Sequence, residues 1–132
     1  MFLIDTNACI RFLNRTSPPL VRQMQESHPS QIFLSSIVKA ELVFGAYRSA
    51  RTADNLRLLN RFFEPLVSIP FDERCLDYYG RIGSDLERSG TPIGPNDLLI
   101  AATALAHSLT LVTHNQKEFG RVPGLELVDW EV

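Results

Sequence analysis

Five short apolar runs, separated by longer stretches with helical periodicity, constrain this chain more than any other feature. They lie at residues 2–4, 32–34, 66–69, 109–112 and 125–128. A run this short, ending abruptly in small polar residues, reads as a buried strand entering a loop. The intervening segments read as helices. Cys9, Ile10, Phe12 and Leu13 give a short one ending near Asn14. Ser17, with Pro18 and Pro19 behind it, starts another, as a capping hydroxyl and a first-turn proline should. Further helices are predicted from Ile37 to about Ser49, from Thr52 and Asp54 to Pro65, from Asp72 to a stop at Gly90, and from Gly94-Pro95 through the alanine-rich stretch that follows. Strands alternating with helical crossovers make a parallel sheet with right-handed connections. The expected fold is therefore α/β, a three-layer α/β/α arrangement around four to five parallel strands, with residues 1–132 forming one domain.

Composition agrees with such a fold. The chain has 132 residues, 45% of them apolar, which is enough for a core without covalent staples. No apolar run approaches the ~20 residues of a membrane span, and the N-terminus lacks a basic-then-apolar leader, so a cytoplasmic protein is expected. Cys9 and Cys75 have no metal-ligand spacing and sit among apolar neighbours, as core filler does. His28, His107 and His114 show no paired spacing either and read as incidental, only His114 falling near the proposed site. The net charge of −2 decides nothing, but 11 of the 13 basic residues are arginine, the side chain shaped for phosphate. Arg48, Arg51, Arg57 and Arg61 form a candidate RNA- or partner-facing patch, with a solvated surface as the equal alternative.

Four acids stand where this topology gathers chemistry. Ligands of parallel α/β sheets bind just past the carboxyl ends of the strands. Asp5 leaves the first strand there. Glu41 lies on the helix after the second, on the same side as Ile37, Val38, Phe44 and Gly45, with Arg48 as an alternative partner. Asp97 occupies the first turn of the helix before the fourth strand, facing the side of Ile100, Ala101 and Ala104. Glu118 follows the fourth strand. Each has a local explanation: Asp5 as a helix cap, Asp97 as a complement to the helix dipole, Glu118 as the N3 arm of a capping box begun by Asn115. Together they are harder to dismiss, because crowded carboxylates repel and need a counter-charge. The oxygen-preferring cations Mg²⁺ or Mn²⁺ supply one, and with them the chemistry of phosphodiester hydrolysis.

At these residues the chain resembles a known family. Asp5-Thr6-Asn7 after an N-terminal strand, Glu41 within SSIVKAELVFGAYRS, Asp97 within GPNDLLIAATAL, and the segment LVTHNQKEFGRVPGLELVDW are similar, in order and spacing, to the motifs of PIN-domain ribonucleases of the VapC toxin family. The resemblance covers the full length. It implies Asp5, Glu41, Asp97 and Glu118 as catalytic acids, with Asp5, Asp97 and Glu118 holding the metal and Asn115 a competing fourth position. Thr6, Asn7, Thr113 and Asn115 would orient the carboxylates. It also implies a Mg²⁺-dependent endoribonuclease that cuts structured RNA, tRNA foremost, to inhibit translation. The partners implied are a small cognate VapB-like antitoxin, a second copy of the chain as a homodimer, and operator DNA reached only through the antitoxin, with no membrane. Two other readings compete with it. One is a binding module acting with its antitoxin as an autorepressor, against which the intact set of acids argues. The other is a phosphotransfer domain with Asp5 as acceptor, although the haloacid-type pattern wants an acid where Asn7 stands.

Overall fold

The computed structural model describes residues 1–132. Its strands are β1 (Phe2–Ile4), β2 (Ile32–Ser35), β3 (Val67–Ile69), β4 (Thr110–Val112) and β5 (Leu127–Val128). Its α-helices are α1 (Thr6–Asn14), α2 (Pro18–Glu26), α3 (Ser36–Arg48), α4 (Thr52–Phe63), α5 (Glu73–Arg88), α6 (Pro95–Ala106) and α7 (Gln116–Phe119). A single 3₁₀ turn, Pro29–Gln31, leads into β2. All five strands are parallel, in the order β3-β2-β1-β4-β5. Successive strand residues point to opposite faces. Leu3 and Ile4 are both sealed from solvent, as are Leu111 and Val112, so helices cover the sheet on both sides. The three-layer expectation holds, with five strands.

The connections run outward from β1 to β2 and β3, then return to its other side at β4. β1 is thus where the strand order reverses, the place where open α/β sheets bind their ligands. Register sharpens this. Leu3 pairs with Phe33, and Ile4 with Val112. One step on, Asp5 is level with Ser35 on one side and Thr113 on the other. All three are buried polar residues at the carboxyl edge of an otherwise apolar sheet.

Local chemistry explains most element boundaries. Asp5 caps α1 by accepting from the Ala8 amide at 2.8 Å, and Ser35 caps α3 through Val38 at 3.1 Å. Asp72 caps α5, and Gly90 follows that helix at φ +69°, a conformation that favours glycine. Ser17 does precede α2, but its hydroxyl makes no capping bond; Pro18 at the first turn suffices to start the helix.

One expectation needs correction. Phe44 is expected on the same side of α3 as Val38, yet it is 63% exposed, and Tyr47 is 66% exposed; the buried stripe is Val38, Leu42 and Ala46. This helix is apolar on nearly every side, so periodicity alone cannot select the face that packs. α5 packs against α6 in antiparallel fashion, with Gly83 against Leu98 and Asp72 near His107. Its N-terminus therefore lies at the far end of α6 from the acidic edge rather than at it.

Candidate functional site

At the carboxyl edge the four acids are held by different means. Asp5 is 6% exposed, with Oδ1 fixed by the Ala8 amide and the Thr113 hydroxyl donating to its carboxylate. Burial pushes its pKa up, against those two hydrogen bonds and the nearby Arg11 guanidinium. Its capping role and its place at the site are one geometry: the carboxylate that satisfies α1 stands over the mouth of β1. Thr113 in turn accepts from the Asn115 amide at 3.0 Å, tying β4 to the loop that carries the fourth acid.

Glu41 flanks the buried stripe of α3. Its partner is not Arg48 but Thr6, whose hydroxyl donates to Oε1 at 2.7 Å. Arg48 instead lies over the Phe44 ring, 5.4 Å from its centroid. The residue after Asp5 thus holds the second acid toward the first.

Asp97 and Glu118 form the tightest pair. Both flank Gly94: a methyl group there would come within 3.7 Å of Asp97 Oδ2 and 3.8 Å of Glu118 Oε1. Glu118 Oε1 accepts from the Gly94 amide at 2.9 Å and Oε2 from Asn115 Nδ2 at 3.0 Å. The expected capping box is therefore only half made. Asn115 does accept from the Glu118 amide, at 3.3 Å, but the Glu118 carboxylate reaches across to the start of α6 instead of returning to the Asn115 amide. Those donors, Gly94 first and then Asn115, hold the Glu118 pKa down. Asp97 moves the other way, up to about 7, through desolvation first, then its hydrogen bond to Glu118 and the charges of Glu118, Glu41 and Asp5. Of the two, Asp97 is the one that keeps its proton longer as pH rises.

Of the expected orienting groups, Thr6 bonds Glu41, Thr113 bonds Asp5 and Asn115 bonds Glu118. Asn7 is exposed and joins none of these contacts. Sequence reasoning missed three contributors. One is the Gly94 amide. The others are Arg11 and Glu131, paired at 3.3 Å and both felt by Asp5, one lowering and one raising its pKa. No local signal marks Glu131, which arrives from the end of the chain. His114 does lie beyond β4, paired with Asp129 at 2.8 Å.

Beside Glu41 open two grooves. One of about 540 Å³ is lined by Ile37, Ala40, Phe44, Arg48 and Asn96. The other, of about 260 Å³, runs past Ile10, Leu13, Gly45 and Leu58. Exposed Phe44, Ile10 and Leu58 make this surface apolar at its rim. The arginine patch is partly self-neutralised, since Arg51 and Arg57 both pair with Asp54.

This is an α/β/α domain with a cluster of carboxylates, groups able to ligate a metal ion, at the mouth of its central strand. A PIN domain model matches residues 2–125. The chain belongs to the PIN domain family and, within it, to the VapC ribonucleases. It is 39% identical over 132 residues to Ribonuclease VapC2 of Rickettsia felis, covering 99% of this chain and 98% of that one. It is 36% identical over 129 residues to the tRNA(fMet)-specific endonuclease VapC of Salmonella typhimurium, covering 98% and 97%. Among solved structures it resembles VapBC2 from Rickettsia felis bound to a DNA fragment from their promoter, with a TM-score of 0.91, 38% identity and 98% of each chain covered. DNA-bound VapBC from Salmonella typhimurium gives a TM-score of 0.92 at 35% identity, covering 98% of this chain and 97% of that one.

The Asp97–Glu118 pair supplies a direct check on roles. Glu118→Gln keeps one acceptor for the Gly94 amide and should fold normally. If the carboxylate serves only to tie α7 to α6, most activity survives. We expect a loss of at least ~10–100-fold, as when a group that holds or orients a metal is removed. Cleavage near the wild-type rate would move the fourth position to Asn115 or leave a three-acid site.

Proposed function

We propose that the chain is a Mg²⁺-dependent (or Mn²⁺-dependent) endoribonuclease, the toxin of a type II toxin–antitoxin pair, cleaving structured RNA of the tRNA class. The observation that carries this reading is the gathering of Asp5, Glu41, Asp97 and Glu118 at one sheet edge, where desolvation first and then the neighbouring carboxylates push the Asp97 pKa up to about 7. A donor set of carboxylate oxygens whose own repulsion must be relieved suits a hard divalent cation. Asp5, Asp97 and Glu118 would hold it, with Glu41 completing the acidic set, and the chemistry it supplies when bound is water activation and charge neutralisation at a phosphodiester. The chain's own residues do the rest. Thr113 and the Ala8 amide aim Asp5, Thr6 holds Glu41 across the cleft, and the Gly94 amide with Asn115 fixes Glu118 in its ionised form.

The same site explains why a partner is needed. The two solved relatives named above are VapBC complexes. A VapB-like antitoxin would fill the apolar grooves on either side of Glu41 and reach operator DNA on behalf of the pair. We read the chain as one cytoplasmic domain, acting as a homodimer. No helix is long and apolar enough to cross a membrane.

Sequencing RNA ends after incubation of purified protein with total RNA tests this directly. The expected result is new 5′-phosphate ends within a few structured RNAs, formed with Mg²⁺ or Mn²⁺ and absent in EDTA. Unchanged cleavage in EDTA, or no cleavage of any RNA, would overturn the assignment.

A further inference from the structure

At the far end of α6 from the acids, a second group of potential ligands meets. Asp72, Cys75 and His107 bring a carboxylate oxygen, a thiol sulfur and an imidazole nitrogen within 4.8 Å of one another. Asp72 caps α5, Cys75 sits in its first turn and His107 directly follows α6, so the antiparallel packing of these helices creates the cluster. About ten residues of helix separate His107 from Asp97, roughly 15 Å at 1.5 Å per residue. This is a separate place from the nuclease cleft.

Two observations point to a ligand. The Nε2 atom of His107 is buried and has no hydrogen-bond partner. A polar nitrogen shut away from water in this condition is destabilising unless something satisfies it. The second is the match between the donors and one kind of ion. Cys75 is fully buried, with Sγ 3.8 Å from Asp72 Oδ1. A tetrahedral zinc ion with Zn–S near 2.3 Å and Zn–O near 2.0 Å sets sulfur and oxygen about 3.5 Å apart, so little movement is required. One sulfur, one nitrogen and one oxygen donor form a borderline-soft set, suited to Zn²⁺ and poorly suited to Mg²⁺. The other oxygen of Asp72 is held by the Arg74 guanidinium at 3.2 Å, which orients the carboxylate as outer partners of metal ligands do.

We propose that Asp72, Cys75 and His107 form a Zn²⁺ site that pins the start of α5 to the end of α6, with water as the fourth ligand. Binding converts the Cys75 thiol to thiolate and releases its proton to solvent. The role is structural, since the cluster joins two helix ends at the far end of α6 from the acids.

The test uses the full chain, untagged and stripped with EDTA, with Co²⁺ and Zn²⁺ as probes. One equivalent of Co²⁺ should give a thiolate-to-metal charge-transfer band, and Zn²⁺ at 100-fold excess over its Kd should raise Tm by roughly 5–10 °C. Both effects should disappear in Cys75→Ser and in His107→Gln, and both should persist in Asp5→Asn. His107 is only partly buried, so His107→Gln tests the site even if Cys75→Ser folds poorly. Absence of the cobalt band in the wild type, or a Zn²⁺-dependent rise in Tm that survives in His107→Gln, would overturn the proposal. Neither outcome bears on whether the distant acids cut RNA.

Discussion

Asp97→Asn is expected to abolish RNA cleavage while making the metal-free protein more stable at neutral pH. The two effects have one cause. In the wild type the Asp97 carboxyl is held up at about 7, by desolvation first and then by its neighbours, against 3.8 in the unfolded chain. The folded protein therefore binds more protons than the unfolded chain between about pH 4 and pH 7. Stability from this group is fully present below pH 4 and is lost as pH rises through 7. Glu118 works in the opposite sense: its lowered pKa contributes stability above 4.5 that is lost in acid. A rise from 3.8 to about 7 would be worth about 4 kcal/mol without screening. Asp97 is only partly buried, and solvent reduces this to on the order of 1–2 kcal/mol. Thermal melts in EDTA should thus show a wild-type Tm that falls from pH 5 to pH 8, with Asp97→Asn higher by roughly 3–8 °C at pH 8 and level with it at pH 4. Cleavage at saturating Mg²⁺ should drop by at least ~10³-fold, the several kcal/mol that metal-assisted charge stabilisation supplies. A variant that melts like the wild type at every pH would mean that the acids do not burden one another.

Asp5 gives the second large effect, because its carboxylate has two duties that two substitutions can separate. Asp5→Asn retains a side-chain oxygen for the Ala8 amide, and asparagine caps as well as aspartate does. It should melt within a degree or two of the wild type with cleavage reduced by at least ~10³-fold. Asp5→Ala loses the cap as well, leaves the Thr113 hydroxyl facing a vacated position, and should cost a further ~1–2 kcal/mol of stability. Calorimetric titration with Mn²⁺ should show weakened binding in both. Metal affinity equal to that of the wild type in Asp5→Asn would remove Asp5 from the ligand set and leave it a helix cap only.

The arginine patch illustrates how tertiary context revises composition. Arg48, Arg51, Arg57 and Arg61 are close in sequence, and guanidinium groups suit phosphate. Asp54, however, takes up both Arg51 and Arg57, while Arg48 stacks on exposed Phe44. The surface nearest Glu41 is consequently a mixed apolar and basic rim.

What the amino-acid sequence determined by itself is whatever depends on short range. Apolar runs of three or four residues with polar ends specified the strands, and capping residues with helical spacing specified most helix limits. Topological handedness then required Asp5, Glu41, Asp97 and Glu118 to gather at one edge, since that follows from direction alone and needs no side-chain detail. Tertiary structure decided everything that depends on which surfaces meet. Thr6 rather than Arg48 became the partner of Glu41, because α1 packs beside α3. Glu118 reached Gly94, 24 positions away, because α7 abuts the start of α6. Phe44 and Tyr47 faced outward because a helix apolar on nearly all sides takes its buried face from its neighbours. Cys75 and His107 look incidental when read along the chain. They become neighbours only because α5 and α6 pack antiparallel, a contact between distant segments that no local spacing encodes.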